Sequence, residues 1–167
     1  TLSAVSHRDL IPYLCAIKSF RRFVPKGRIV IVDDGSLTKK DYAILKYHLS
    51  NPEIVRFNTI DTGSFPTYIS YRRFSKVLSL TKDNYVISID SDTLTFSEVP
   101  EVLEAINKNY AFGLSSNSVS GKKIFPIKEV CEKVKTYVHQ SNHVQALAES
   151  QFDKLSDYPN LKYARLN

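Results

Sequence analysis

Apolar and polar residues along the chain alternate between two periods. Residues 1–5 form a short apolar run of strand length, and over 7–23 Leu10, Leu14, Ile17, Phe20 and Phe23 recur at helical spacing, with Asp9 placed for the first turn. Pro25-Lys26-Gly27 ends that helix, and 28–33 (R-I-V-I-V-D) is an unbroken apolar run that stops at acid. After the turn Asp34-Gly35-Ser36, Thr38 reads as an N-cap with Asp41 at the N3 position, and Tyr42, Leu45 and Leu49 make the apolar stripe of a second helix. A strand is expected over 54–60, a break over 63–66, a helix over 67–80 with Arg72, Arg73 and Lys76 among its polar positions, and a strand over 85–90 (Y-V-I-S-I-D). Farther on, the pattern predicts a helix over 98–109, a strand over 110–114, a polar loop over 115–121, one or two helices over 126–155 and a closing strand over 163–166.

Strands separated by helical stretches of this length imply crossover units. The expected class is therefore α/β, with a mainly parallel sheet covered on both faces. At 167 residues the chain fits one domain over 1–167, without a repeat or low-complexity tract. In such sheets ligands collect beyond the carboxyl ends of the strands, and both Asp33-Asp34 and Asp90-Ser91-Asp92 fall there.

Composition narrows the class further. A hydrophobic fraction of 43% and a charged fraction of 24% exclude collagen-like, disordered and disulfide-scaffold chains. No apolar run reaches the ~18 residues that span a bilayer, and no basic leader precedes the first strand. The two cysteines, Cys15 and Cys131, lie far apart without a metal-ligand neighbour, and no Asn-x-Ser/Thr sequon occurs, so a reducing, cytoplasmic setting is expected. The chain contains no methionine and opens without an initiator, as an excised domain would. Lys and Arg number 23 against 17 Asp and Glu, a formal net charge of +6. That field attracts diphosphates, or anionic lipid in a peripheral membrane association. Scattered basic residues equally make a plain solvated surface. Nucleic acid is not expected, because basic and aromatic residues are not interleaved.

Asp90-Ser91-Asp92 carries the strongest chemical signal. Two carboxylates two residues apart at the end of a buried strand repel unless a cation or several donors join them. Mg²⁺ or Mn²⁺ takes one or two protein carboxylates and leaves its other positions for phosphate oxygens and water. The bland alternative is a pair of loop acids capping the next helix. In Asp33-Asp34-Gly35-Ser36 the glycine allows a tight turn and the acids can accept from a ligand's N–H or hydroxyl groups, although the same string is also an ordinary strand-to-helix turn. Arg72 and Arg73 each lie about one helical turn before Lys76, and either pairing suits a diphosphate, or a solvated helix face. The four histidines, His7, His48, His139 and His143, stand at no ligand spacing with Cys or Glu, though His139 and His143 would share a helix face.

These strings in this order resemble the GT-A-fold glycosyltransferases: I-V-I-V-D-D-G-S, then Y-R-R-F-S-K-V-L-S-L, then Y-V-I-S-I-D-S-D-T-L-T-F-S-E-V-P-E-V-L. The likeness covers roughly residues 1–114, with a family 2-like V-D-D-G-S turn and a later Asp-x-Asp motif. It implies a three-layer α/β/α sandwich of nucleotide-diphospho-sugar transferase type and a metal-dependent transfer of sugar from a nucleoside-diphosphate sugar, a UDP-sugar first, to a carbohydrate or other hydroxyl acceptor. By the same resemblance Asp33 or Asp34 contacts the nucleobase or ribose, Arg72 or Arg73 the diphosphate with Lys76 nearby, Asp90 the ribose and metal, and Asp92 the metal. Ser6 stands at the end of the first strand, where such enzymes contact the base, and Ser91 lies between the two metal-binding acids. S-A-V-S-H departs from the family 2 P-T-Y-N and leaves the base open. A-E-S-Q-F-D-K-L and Y-A-R-L-N resemble a stretch preceding an acceptor-binding segment, so the acceptor site and base are expected past Asn167. Glu149, Asp153 and Asp157 are the late acids, read as helix surface.

Two rival functions follow from the same residues. One is a catalytically silent nucleotide-sugar-binding module. The other is a haloacid-dehalogenase-type phosphatase, whose D-x-D-G-T-L opening fails in register, with Val32 at the nucleophile position of the first string and Leu94 at the threonine position of the second.

Overall fold

The structure, a computed structural model, describes residues 1–63, 67–113, 124–140, 143–158 and 160–163. It divides into two compact units, Thr1–Tyr110 and Ala111–Asn167. In the first, β1 (Leu2–Val5), α1 (Leu10–Phe23), β2 (Val30–Asp33), α2 (Lys39–His48), β3 (Glu53–Arg56), α3 (Ile69–Thr81) and α4 (Pro100–Lys108) follow in order. The class is α/β. β2 is central, pairing in parallel with β1 (Leu2 opposite Val30) and with β3 (Val30 opposite Glu53).

Strand β2 is buried at all four positions because both of its faces are covered. Ile31 packs with Val5 against Tyr13, Leu14 and Ile17 of α1 and Leu45 of α2, while Val102 and Ile106 of α4 join the same side. Val30 and Val32 point the other way, onto Ile69, Val77 and Leu80 of α3. Alternation at period two thus feeds two separate cores. The capping box at the start of α2 forms as its spacing predicts, with Asp41 N–H donating to Thr38 Oγ1 at 3.3 Å and Thr38 N–H donating to Asp41 Oδ2 at 2.7 Å.

Two strand expectations need correction. The run 54–60 is extended only to Arg56 and then coils into a 3₁₀ turn, Phe57–Thr59. Gly35, at φ +95°, explains the bend: a Cβ there would meet Phe57 Cε1 at 2.9 Å, so the Phe57 ring closes directly over the glycine. The run 85–90 is not a full strand either. It lies beside β1 through one parallel bridge, Leu2 to Ser88, in which Leu2 N–H donates to Ile87 O (2.8 Å) and Ile89 N–H donates to Leu2 O (3.0 Å).

Within the second unit, α5 (Ile127–Lys135) buries Ile127, Cys131 and Val134 along one stripe, and α6 (Val144–Glu149) follows. Two short antiparallel strands, β4 (Phe125–Pro126) and β5 (Lys162–Tyr163), complete it. Glu149 corrects the reading of the late acids as surface. It is 1% exposed and accepts from Gln145 Nε2 (3.0 Å) and Tyr163 Oη (2.9 Å). Asp153 pairs with Lys135. His139 sits in a 3₁₀ turn and His143 caps α6, so they share no helix face. Both cysteines are free. Residues 110–113 are irregular rather than a strand, and the expectations over 64–66, 114–121 and 164–166 fall outside the described residues. No described helix is long and apolar enough to cross a membrane.

Candidate functional site

Every acidic motif of the first unit stands at the carboxyl edge of the sheet, but their surroundings differ. Asp33 ends β2 with 2% exposure. Its Oδ1 accepts from Gly35 N–H (2.8 Å) and Leu37 N–H (3.3 Å), and its Oδ2 accepts from Tyr42 Oη (2.7 Å). Burial and this carboxylate push the Tyr42 phenol above its ordinary range. All the acceptor capacity directed inward is therefore spent on shaping the turn.

Asp34, half-buried, accepts on Oδ1 from Ser36 N–H (2.9 Å) and Ser36 Oγ (2.5 Å). No described residue meets its Oδ2. Of the two acids in this turn, Asp34 is the one with an oxygen left for a ligand.

Across the sheet, β1 is followed by Ser6, whose Oγ donates to Asp9 Oδ2 at 2.6 Å ahead of α1. His7 then turns toward β2. Its N–H donates to Ser36 Oγ (2.8 Å), and its Nδ1 lies 2.7 Å from Asp41 Oδ2. Sequence reading missed this dyad, because the partners are 34 residues apart and only the β1–β2 register joins them. Hydrogen bonds from Thr38 N–H and hydroxyl, with His7 adding to them, hold the Asp41 carboxyl down to about 2.

The second acidic cluster is open by comparison. Leu2 opposite Ser88 sets Asp90 level with Ala4, on the flank of β1 away from β2. Arg73 Nη1 donates to Asp90 Oδ1 at 2.6 Å, with the two side chains 33% and 43% exposed. Thr93 Oγ1 donates to the Asp90 carbonyl (3.0 Å), closing the turn beneath half-buried Ser91. Asp92 is exposed and meets no partner among the described residues.

The three basic residues of α3 separate. Arg72 caps the 3₁₀ turn, donating through Nη1 to Phe57 O and Ile60 O (both 2.7 Å) and through Nε to Thr67 O (3.2 Å), with its guanidinium 5.3 Å from the Phe57 ring centroid. Lys76 Nζ donates to Glu53 Oε1 at 3.1 Å, at the other end of β3. Arg73 alone reaches an acidic motif.

Together these residues line two sides of the end of β1: Asp34 and the His7–Asp41 dyad toward β2, Arg73, Asp90 and Asp92 toward residues 87–89. The open carboxylates can accept from ligand hydroxyl or N–H groups or hold a hard cation, and Arg73 supplies positive charge beside them. Comparison with known protein families, with curated proteins and with solved structures gives no match.

Proposed function

We propose that this chain is the nucleotide-sugar-binding part of a metal-dependent glycosyltransferase of the GT-A type, taking its sugar from a UDP-sugar and passing it to a carbohydrate or other hydroxyl acceptor. Spatial order supports the reading. Along the sheet the extended segments run β3, β2, β1 and then 87–89, so the order of connection reverses beside β1. A crevice at such a reversal is where open α/β sheets take their ligands. Helices on both sheet faces agree with a three-layer arrangement.

The observation that carries the proposal is the pair Asp90 and Asp92 beside that reversal: one carboxylate held in place by Arg73, the next open to solvent. Their donor set fits Mg²⁺ or Mn²⁺, both of which prefer oxygen ligands and accept one or two protein carboxylates plus phosphate and water. No group of three or more His, Cys, Asp and Glu gathers among the described residues; phosphate oxygens and water would fill the remaining positions of a cation held by Asp90 and Asp92. When bound, the cation supplies Lewis-acid stabilisation of the departing nucleoside diphosphate. Arg73 fixes the orientation of Asp90 and adds positive charge where the leaving group becomes negative. Asp34 accepts from the ribose or base through its remaining oxygen.

Calorimetric titration with UDP, with and without Mn²⁺, paired with a UDP-sugar hydrolysis assay tests the reading. Mn²⁺-dependent binding with slow donor hydrolysis is expected. Binding without any hydrolysis would favour a silent binding module, and hydrolysis of simple phosphomonoesters would favour the phosphatase.

A further inference from the structure

The His7–Asp41 dyad has a fixed inner edge and an open outer one. Asp41 is 4% exposed in its side chain, whereas His7 is 57% exposed. Asp41 Oδ2 already accepts from Thr38 N–H (2.7 Å) and Thr38 Oγ1 (2.8 Å). An ionised carboxylate can only accept, so the hydrogen between it and His7 belongs to Nδ1. In a neutral imidazole with Nδ1–H, Nε2 bears a lone pair and no hydrogen. The backbone is equally fixed, since His7 N–H is tied to Ser36 Oγ at 2.8 Å. This loop therefore presents a positioned acceptor of one polarity at the carboxyl edge of the sheet.

We infer that His7 Nε2 selects the nucleobase, accepting a hydrogen bond from a ring N–H and so favouring uracil or guanine over cytosine or adenine. The inference rests on the nucleotide-sugar reading above. Position supports it: His7 turns toward Ser36 and Asp41 on the β2 side of β1, whereas Arg73 and Asp90 stand on the opposite side. With the diphosphate at Asp90 and Asp92, the nucleoside extends toward Asp34 and His7. Uracil and guanine carry a ring N–H on their pairing edge, while cytosine and adenine carry a bare nitrogen there. A bare nitrogen would face the Nε2 lone pair and leave it unmatched, a mismatch of about tenfold or more in affinity.

The test is calorimetric titration of the whole chain with UDP and with CDP, both with Mn²⁺, in mildly alkaline buffer. The wild-type protein should bind UDP about tenfold more tightly than CDP. His7→Phe should bring the two within about twofold while circular dichroism stays unchanged. If His7→Phe does not fold, His7→Leu, equally without an acceptor, decides. Equal affinities in the wild type, or an unchanged ratio in folded His7→Phe, would overturn the inference while leaving nucleotide binding intact. A wild-type protein that binds neither nucleotide would end both this inference and the reading beneath it.

Discussion

The two acidic turns at the carboxyl edge of the sheet look alike as strings and differ as structures. In the turn after β2, Asp33 is buried and its carboxylate receives a phenol and two backbone N–H groups. In the turn after residues 87–89, Asp90 meets one guanidinium and Asp92 is exposed. A carboxylate surrounded by donors at no more than 3.3 Å is part of the fold; one facing water is available to a ligand. The second turn, and Asp34 in the first, keep carboxylate oxygens open for the ligand proposed above.

This contrast can be broken by mutation. The largest effect on stability is expected from Asp33→Ala, which removes a buried carboxylate and leaves the Gly35 and Leu37 N–H groups and the Tyr42 hydroxyl without their partner, and should cost about 3 kcal/mol in urea unfolding. Gly35→Ala comes next, at about 2 kcal/mol, because φ is +95° and the new Cβ meets Phe57 at 2.9 Å. Neighbouring arginines sharpen the comparison further. Arg72→Ala removes donors to three carbonyls and should cost about 1–2 kcal/mol. Arg73→Ala loses a partly exposed pair, should cost under about 1 kcal/mol, and should instead weaken Mn²⁺-dependent UDP binding severalfold.

The smallest effect is a pH dependence. Asp41 is depressed from an ordinary 3.8 to about 2 in the folded chain, so the unfolded chain binds the extra proton. The stabilisation is present above about pH 4 and lost as pH falls toward 2. Thermal midpoints followed over that window should fall less steeply for Asp41→Asn than for the wild type.

Local signals in the sequence were reliable where the cause was itself local. The Thr38–Asp41 capping box and the apolar run ending at Asp33 need only near neighbours, and both form. Expectations failed where a distant residue decides. The strand at 54–60 stops early because Phe57 packs over Gly35 and is held there by Arg72. Arg72 and Arg73 are adjacent in sequence, but successive residues of a helix point about 100° apart, so one seals the 3₁₀ turn and the other reaches Asp90. Lys76, one turn on, is taken by Glu53. Which acid of an Asp-Asp turn faces inward, and that His7 would find Asp41, depend on sheet register, which no run of residues displays.

On the proposed reading, Asp92 serves a ligand and not the fold. Calorimetric titration of UDP with Mn²⁺ into wild-type and Asp92→Ala protein, with urea unfolding of both, tests it most directly. Unfolding free energies should be equal to within about 0.5 kcal/mol, and Mn²⁺-dependent UDP binding should be abolished or at least about a hundredfold weaker in the variant. Full Mn²⁺-dependent affinity in Asp92→Ala would contradict it.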